Sequence, residues 1–183
     1  LSKVLPFVTS FLESTRFLPE QFVVLAPRIF GESGLEVSGV LINFDNWATQ
    51  LRINALYCSG VIDFLTQIQT RKKRPCRILE IGAGYGNLAY TLSKMLGEGE
   101  VEYYIVDLPE SLAFSTSYLS ATLQGEKQIV KPGIRINLSP GITFVANFLI
   151  DEFLSELGQF DLIINVLSLT EMSEIQVDFY GEM

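Results

Sequence analysis

The sequence predicts an α/β fold, with a parallel sheet and flanking helices behind a helical N-terminal extension. An apolar run at residues 77–81 leads directly into a glycine-rich turn, and a segment with helical periodicity follows the turn. After residue 75, strand-like and helical segments alternate, which is the pattern of a parallel sheet. No alternating strand pattern precedes that point. We therefore predict an extension over residues 1–75 and a core over residues 76–183.

The extension is expected to be mostly helical. A short helix is predicted from apolar residues at helical spacing: Leu5, Val8, Phe11 and Leu12. The prolines and glycines of residues 19–45 indicate a segment that winds over the surface. Asn46 can cap a second helix that runs to about Thr70, because apolar residues beyond it approximate one face.

Four strands and four helices are expected in the core. The predicted strands lie near residues 77–81, 101–106, 142–146 and 161–166. The predicted helices lie near residues 87–96, 110–123, 151–157 and 171–181. Between the second helix and the third strand, residues 124–141 are rich in glycine and proline and are predicted to form a loop with room for a short hairpin.

The glycine-rich turn indicates the class of ligand. It has the form acidic-x-Gly-x-Gly-x-Gly, from Glu80 to Gly86, and glycines let a ligand lie against the main chain. A dinucleotide site has the form Gly-x-Gly-x-x-Gly, and Asn87 stands where its third glycine would be. Because the carboxylate of Glu80 suits positive charge better than phosphate, the turn favours a cationic ligand. A turn that binds no ligand is the alternative.

An acidic residue follows the second predicted strand. Asp107 lies 21 residues after Gly86, and an acidic residue about 20 residues past such a turn hydrogen-bonds a ribose in this kind of fold. Alone, Asp107 would more often cap the helix that can begin at Pro109. Together with the glycine turn, it favours a ligand that contains ribose.

The segment from Glu80 to Gly86 resembles the first motif of the class I S-adenosylmethionine-dependent methyltransferases, which have a Rossmann-like fold. A narrower similarity is to a sugar O-methyltransferase family. It covers about residues 77–183, with a looser match around Asn46 and Trp47. It depends on three segments: Val106–Leu112, Tyr118-Leu119 and Phe160–Met172. The resemblance implies S-adenosylmethionine as cofactor and methyl transfer to the hydroxyl of a sugar or another small molecule.

The resemblance also implies which residues hold the cofactor. Its methionine part would lie on the glycine turn, its ribose on Asp107, and its adenine between Leu108 and the segment Asn147-Phe148. All of these positions follow strand ends, where ligands of open α/β sheets bind. The predicted cofactor-binding residues are Glu80, Gly82, Ala83, Gly84, Gly86, Asp107, Leu108, Asn147, Phe148 and Asn165.

A general base must be sought among the carboxylates, because the chain contains no histidine. Glu171 is the nearest carboxylate after the fourth predicted strand, and we predict it as the catalytic residue. The alternative is an acidic residue in the first turn of a helix, where it favours the helix dipole. No metal-ligand cluster is visible in the sequence, and no metal is predicted.

The charge and hydropathy of the chain limit the kinds of substrate and location that it can have. The net charge is −8, from 21 acidic and 13 basic residues, which argues against nucleic acid as substrate. No uncharged run is long enough to span a membrane, and residues 1–12 lack the layout of a signal peptide. We therefore expect a cytoplasmic enzyme with a small-molecule acceptor. The basic cluster Arg71–Arg74 is interpreted as a solvated loop, and Cys58 and Cys76 as reduced, mostly buried thiols.

Two other functions remain open. One is an NAD-dependent oxidoreductase or epimerase, against which Glu80 and Asn87 count. The other is a non-catalytic domain that uses the fold for binding.

A complete class I methyltransferase has seven strands and only four are recognisable, so we expect the chain to be part of a longer protein. The fourth strand would then be an apolar edge, open to self-association or covered by the N-terminal helices.

Overall fold

The structure, a computed structural model, describes residues 4–37 and 39–182 and confirms an α/β fold with a parallel sheet flanked by helices. The helices are α1 (Val4–Thr15), α2 (Phe44–Cys58), α3 (Val61–Lys72), α4 (Asn87–Leu96), α5 (Pro109–Thr122), α6 (Ile150–Leu157) and α7 (Glu174–Gly181). The strands are β1 (Leu35–Val37), β2 (Val40–Ile42), β3 (Cys76–Ile81), β4 (Val101–Asp107), β5 (Glu126–Ile129), β6 (Gly141–Ala146) and β7 (Leu162–Asn165). Short 3₁₀ helices span Glu20–Phe22, Asn147–Leu149 and Ser168–Glu171.

The five-stranded sheet has the order β5-β6-β4-β3-β7, and every neighbouring pair is parallel. The four predicted strands are therefore arranged third, second, first, fourth, as in one half of a doubly wound sheet. Ile81 pairs with both Val106 and Asn165, so the carboxyl ends of β3, β4 and β7 are level. The strand order reverses between β3 and β7, and ligands of such sheets bind outside the strand ends at this point.

Both faces of the sheet are covered, which explains why its central strands are largely apolar. Ile78 and Tyr103 face a cluster formed with α3, α4 and α5. Leu79 and Tyr104 face a second cluster, formed with α6 and α7. All four side chains are at most 1% exposed. Burial on both faces is typical of parallel sheets, because each crossover helix lies on a face.

Helix α3 of the predicted extension belongs to the main core. Its residues Ile62, Leu65 and Ile68 are buried in the same cluster as Ile78 of β3. Helix α2 adds Ile53 to that cluster. The boundary near residue 75 stays a prediction, and the hydrophobic core extends across it.

The predicted helix from Asn46 to about Thr70 is wrong in its start and in its continuity. Asn43 is the cap, and its side chain accepts a hydrogen bond from the main-chain N–H of Asn46 at 2.9 Å. The helix is also interrupted after Cys58. Gly60 has a φ of +81° and precedes α3, so the left-handed conformation that glycine tolerates separates two helices.

The segment predicted to wind over the surface contains strands β1 and β2, which pair antiparallel. The sequence did not indicate them, because three residues per strand are too few for a recognisable alternation.

The hairpin considered within residues 124–141 is also wrong. That stretch contributes one strand, β5, which pairs parallel with β6. Its sequence Glu126-Lys127-Gln128-Ile129 is polar because it forms the edge of the sheet.

The other predicted core elements are confirmed to within one residue at each end, except for the last helix. That helix begins at Glu174 rather than at residue 171. Ser173 caps it in a reciprocal arrangement with Gln176, which satisfies two main-chain N–H groups of the first turn.

Two smaller predictions need correction. The thiol of Cys58 is exposed, whereas Cys76 is buried as predicted, and burial raises the pKa of Cys76 to about 12.

The cluster Arg71–Arg74 is not a solvated loop throughout. Arg71 and Lys72 form the last turn of α3, and the guanidinium of Arg74 forms an ion pair of 2.6 Å with Asp161. Asp161 also accepts the main-chain N–H of Arg77, so this pair joins the start of β3 to the start of β7.

Candidate functional site

A cavity of about 210 Å³ lies at the carboxyl ends of β3 and β7, where the strand order reverses. We call it the turn cavity. The glycine turn from Gly82 to Tyr85 forms its floor, and Val166, just after β7, borders it. Helix α2 supplies another wall through residues that include Thr49 and Arg52. The predicted glycine turn therefore borders a cavity.

The three glycines of the turn all have a positive φ: +74° at Gly82, +58° at Gly84 and +96° at Gly86. A Cβ atom at Gly82 would lie 2.2 Å from the Oγ of Ser168, and one at Gly86 would lie 2.9 Å from a methyl of Leu119. At Gly84 it would meet no heavy atom within 4 Å. Packing thus requires glycine at two positions, and Gly84 is the one with open space for a ligand.

Glu80 is buried beneath this turn. It is 2% exposed and accepts a hydrogen bond of 2.7 Å from the hydroxyl of Tyr103. Burial raises the pKa of Glu80 to about 7, against the opposing effects of the Tyr103 hydrogen bond and the positive charge of Arg52. Because Glu80 also lines the turn cavity, a cation bound there would favour its ionised form.

Arg52 is a site residue that the sequence did not reveal. It lies on α2 and, of the described residues that line the turn cavity, it is the only basic one. The cavity therefore brings a guanidinium and a buried carboxylate together. No motif spacing connects position 52 to the glycine turn, because the contact depends on how α2 packs over α4.

Asp107 ties the end of β4 to the glycine turn. Its Oδ2 accepts the main-chain N–H of Gly84 at 3.2 Å, and its Oδ1 accepts that of Leu108 at 2.8 Å. Burial raises the pKa of Asp107, against the opposing effect of these two hydrogen bonds. The structure therefore brings Asp107 and Gly84 together, as the predicted site requires.

Asn165 is occupied by contacts within the protein. Its amide nitrogen donates to the main-chain oxygen of Ile81 at 2.9 Å and to Ser168, and its amide oxygen accepts the N–H of Leu169 at 3.3 Å. These bonds hold the end of β7 against the end of β3. Leu167, with a φ of +68°, forms the tight turn between Asn165 and the 3₁₀ helix.

The residues predicted to hold adenine lie on the other side of Asp107. Asn147 is half-buried and begins a 3₁₀ helix directly after β6. Phe148 is 70% exposed and lines a cavity of about 430 Å³ together with Pro109, the first residue of α5. Leu108 precedes that proline and is 47% exposed. Ala83 lines the turn cavity itself.

The structure places Glu171 away from the turn cavity. It is exposed at the end of the 3₁₀ helix Ser168–Glu171 and is not among the described residues that line the turn cavity. The same 3₁₀ helix begins with Ser168, which contacts the glycine turn. The catalytic role of Glu171 remains a prediction.

A larger cavity of about 570 Å³ adjoins the turn cavity. We call it the aromatic chamber. Five aromatic side chains line it: Phe30, Phe44, Tyr85, Phe114 and Tyr118. Its polar lining residues are Glu32, Ser33, Asn43, Asp45 and Ser117. Phe44, Asp45 and Tyr85 border both cavities. The sequence did not reveal this chamber, because its walls come from separate stretches of the chain, at residues 30–33, 43–45, 85 and 114–118.

Two further properties concern the described residues only. No helix among residues 4–37 and 39–182 is both long and apolar enough to cross a membrane. In the same ranges, no three His, Cys, Asp or Glu side chains are grouped so that they could hold a metal ion.

Comparison with known proteins gives weak likenesses. No protein-family model and no curated protein matches the chain. One similar solved structure is an arsenic(III) S-adenosylmethionine methyltransferase from Chlamydomonas reinhardtii, with 23% identity, a TM-score of 0.42, and coverage of 60% of this chain and 34% of that chain. Another is the S-adenosylmethionine-dependent methyltransferase SibL in its apo form, with 13% identity, a TM-score of 0.27, and coverage of 59% and 30%. The chain spans about a third of the length of these structures. The fold assignment follows from the sheet order.

Proposed function

We propose that the chain binds S-adenosylmethionine in the turn cavity and transfers its methyl group to a small molecule. One observation carries the proposal: Glu80 and Arg52 line the same cavity, beside the open face of Gly84. The methionine end of the cofactor has an ammonium and a carboxylate group. A buried acid and a guanidinium in one cavity match both charges.

The other parts of the site fit the rest of the cofactor. Asp107 lies beside Gly84 and keeps free lone pairs on its carboxylate for ribose hydroxyls. Leu108, Asn147 and Phe148 lie beyond it, where an adenine attached to that ribose would extend. The amide of Asn147 can both donate to and accept from the edge of a purine.

Bound S-adenosylmethionine supplies an electrophilic methyl group on a sulfonium. Held by Glu80, Arg52 and Asp107, it would give up that methyl group to a lone pair of the acceptor oxygen, and the electron pair of the broken S–CH₃ bond would stay on sulfur. The acceptor proton leaves to a base or to water. The chain mainly aligns the two reactants, and we retain Glu171 as the predicted base for that proton.

The acceptor is expected to be the hydroxyl of a sugar or of another small molecule. The family resemblance is the reason for this expectation. A location for the acceptor is available in the aromatic chamber, because the chamber shares Phe44, Asp45 and Tyr85 with the turn cavity. A cytoplasmic location is likewise retained as a prediction.

An NAD-dependent oxidoreductase is disfavoured by the start of α4. A dinucleotide places its pyrophosphate at this helix end, where Asn87 is buried and donates to Asn46 at 3.2 Å and to Thr49 at 3.1 Å. Helix α2 therefore packs where the third glycine of a dinucleotide site would stand. Tyr90 and Lys94 on α4 have a Tyr-x-x-x-Lys spacing that would favour such an oxidoreductase. The hydroxyl of Tyr90, however, donates to the main-chain oxygen of Leu25, and the ammonium of Lys94 pairs with Glu98.

Calorimetric titration tests the proposal. S-Adenosylmethionine and its demethylated product should bind, and NAD should not. Asp107→Ala should weaken cofactor binding at least tenfold, because hydrogen bonds to a charged group contribute about 1.5–3 kcal/mol each. Asp63→Ala, which removes an exposed acid on α3, is the matched control and should bind like the wild type.

Two results would contradict the proposal. Binding of NAD without binding of S-adenosylmethionine would favour an oxidoreductase. Unchanged affinity in Asp107→Ala would remove the ribose assignment. Cofactor binding without methyl transfer to any acceptor would instead favour the alternative of a non-catalytic binding domain.

A further inference from the structure

Four of the five rings that line the aromatic chamber lie outside the hydrophobic core, and Tyr118 belongs to the core. Tyr85 and Tyr118 contact each other edge to face, with ring centroids 5.0 Å apart and an interplanar angle of 89°. The three phenylalanines around them are each more than half exposed: Phe30, Phe44 and Phe114. Large aromatic side chains exposed around one concavity indicate a binding site rather than a packing defect.

The chamber is also acidic. Glu32 and Asp45 line it, and no lysine or arginine is among its described lining residues. One carboxylate oxygen of Glu32 accepts the main-chain N–H of Phe30 at 3.1 Å. The other oxygen, Oε1, is buried and has no hydrogen-bond partner among the described residues. A buried carboxylate oxygen without a partner is costly unless a donor or a positive charge reaches it.

The acidic residues of the chamber also affect the pKa values of its two tyrosines. Burial raises the pKa of Tyr85 to about 12. The charges of Asp45 and Glu32 act in the same direction, and the charge of Arg52 opposes them. Burial likewise raises the pKa of Tyr118, with added contributions from Tyr85, Tyr90 and Glu32. Both phenols therefore stay neutral at physiological pH. They present electron-rich ring faces without a phenolate charge.

We propose that the aromatic chamber binds a small organic cation, a protonated or quaternary amine, and that this amine belongs to the methyl acceptor. The inference deepens the proposed function and rests on it for the acceptor role. Aromatic faces attract an ammonium group through their quadrupoles, and the two carboxylates supply the counter-charge. A volume of about 570 Å³ suits a ligand of small-molecule size.

Other ligand classes match the chamber less well. An anion would meet two carboxylates, and no basic residue is among the described residues that line the chamber. A neutral sugar could stack on the rings, but it would leave the negative charge of Glu32 and Asp45 uncompensated. A hydroxyl compound that also carries an amine, such as an amino sugar or an amino alcohol, satisfies both the chamber and the expected hydroxyl chemistry.

Isosteric probes test the charge directly. Choline and 3,3-dimethylbutan-1-ol have the same shape and the same hydroxyl group, and only choline is charged. Glucosamine and glucose form a second pair. Calorimetric titration of the wild type should show each cation binding at least tenfold more tightly than its neutral partner, with an affinity that falls as salt rises.

Variants locate the effect. Glu32→Gln and Asp45→Asn should each reduce the preference for choline at least threefold. Glu36→Gln is the matched control, because Glu36 is exposed, lies four residues from Glu32 and does not line the chamber. Thermal unfolding establishes that each variant folds. If Glu32→Gln does not fold, Asp45→Asn alone suffices as the test.

The outcomes separate the two proposals. Equal affinity for choline and its neutral isostere, or a preference unchanged in folded Asp45→Asn, would overturn the cation site. Binding of S-adenosylmethionine in the same experiments would leave the proposed function intact. Conversely, choline binding without any S-adenosylmethionine binding would overturn the proposed function and support a cation-binding chamber alone.

Discussion

Gly82 and Gly84 should differ in how well they tolerate a side chain, because their surroundings differ. We expect Gly82→Ala to lower the free energy of unfolding by about 2–4 kcal/mol, since its methyl would overlap Ser168 and its φ is strained for alanine. Gly84→Ala should lower it by only about 1–2 kcal/mol, since only the strain applies.

Cofactor titration then distinguishes the two glycines. Gly84→Ala should weaken S-adenosylmethionine binding at least tenfold, because the new methyl points into open space above the turn. Denaturant unfolding and calorimetry of both variants provide the measurements. A Gly84→Ala variant with the affinity of the wild type would show that no ligand contacts this part of the turn.

Glu80 gives a prediction about pH. Its pKa rises from 4.5 to about 7 on folding, so between these values the folded chain holds a proton that the unfolded chain has released. Stability should therefore fall as pH rises from about 4.5 to about 7, by roughly 3 kcal/mol at most. Glu80→Gln should lack this contribution. Denaturant unfolding of both proteins at pH 5 and pH 7.5 measures the difference, and parallel pH profiles would contradict it.

Binding of the cofactor should release the proton that Glu80 holds. An ammonium group beside Glu80 favours the carboxylate, so S-adenosylmethionine should release a proton when it binds at pH 6. The observed enthalpy would then vary with the ionisation enthalpy of the buffer. The same titration with Glu80→Gln should show no such variation. A buffer-independent enthalpy for the wild type would place the ammonium group elsewhere.

At the scale of elements, strand β7 is the unusual one. It pairs only with β3 among the described strands, and Ile163 on it is 40% exposed. We propose that the chain self-associates through this edge, because an apolar, unpaired strand is a template for pairing. Ile163→Lys should shift the molecule towards the monomer in analytical ultracentrifugation.

A second exposed isoleucine provides the control for that experiment. Ile175 on α7 is 82% exposed, and Ile175→Lys makes the same change away from the sheet edge. It should leave the association unchanged. If the wild type is a monomer at all accessible concentrations, the edge is not an association surface under those conditions and the proposal fails.

For the whole molecule, the shared core is the main consequence of the fold. Ile62, Leu65 and Ile68 of α3 are at most 1% exposed and pack with the sheet. Residues 76–182 alone should therefore expose a large apolar surface and lose cooperative thermal unfolding, since burying each such side chain contributes about 1.5–3 kcal/mol. Calorimetry of that fragment beside the full chain is the measurement, and an equally cooperative transition would mark residue 75 as a true domain boundary.

The sequence predicted the elements with strong periodicity and missed those defined by contacts. The β3–turn–α4 unit and Asp107 follow local rules, and their positions agreed with the structure. Strand β5 is polar because it lies at an edge, so its composition resembles a loop. Arg52 reaches the glycine turn through the packing of α2 against α4. The aromatic chamber is lined by residues of α2 and α5 that are far apart in the chain. A linear sequence does not specify which distant faces meet.

The shared boundary between the two cavities has a consequence for the affinities of their ligands. Phe44, Asp45 and Tyr85 each border both spaces, so a ligand that fixes these side chains from one side changes the surface offered to the other. Any factor by which the first occupant alters the affinity of the second must also apply in reverse, because the thermodynamic cycle closes. Each ligand should therefore change the dissociation constant of the other by the same factor, and titration of either ligand with and without the other present would measure that factor.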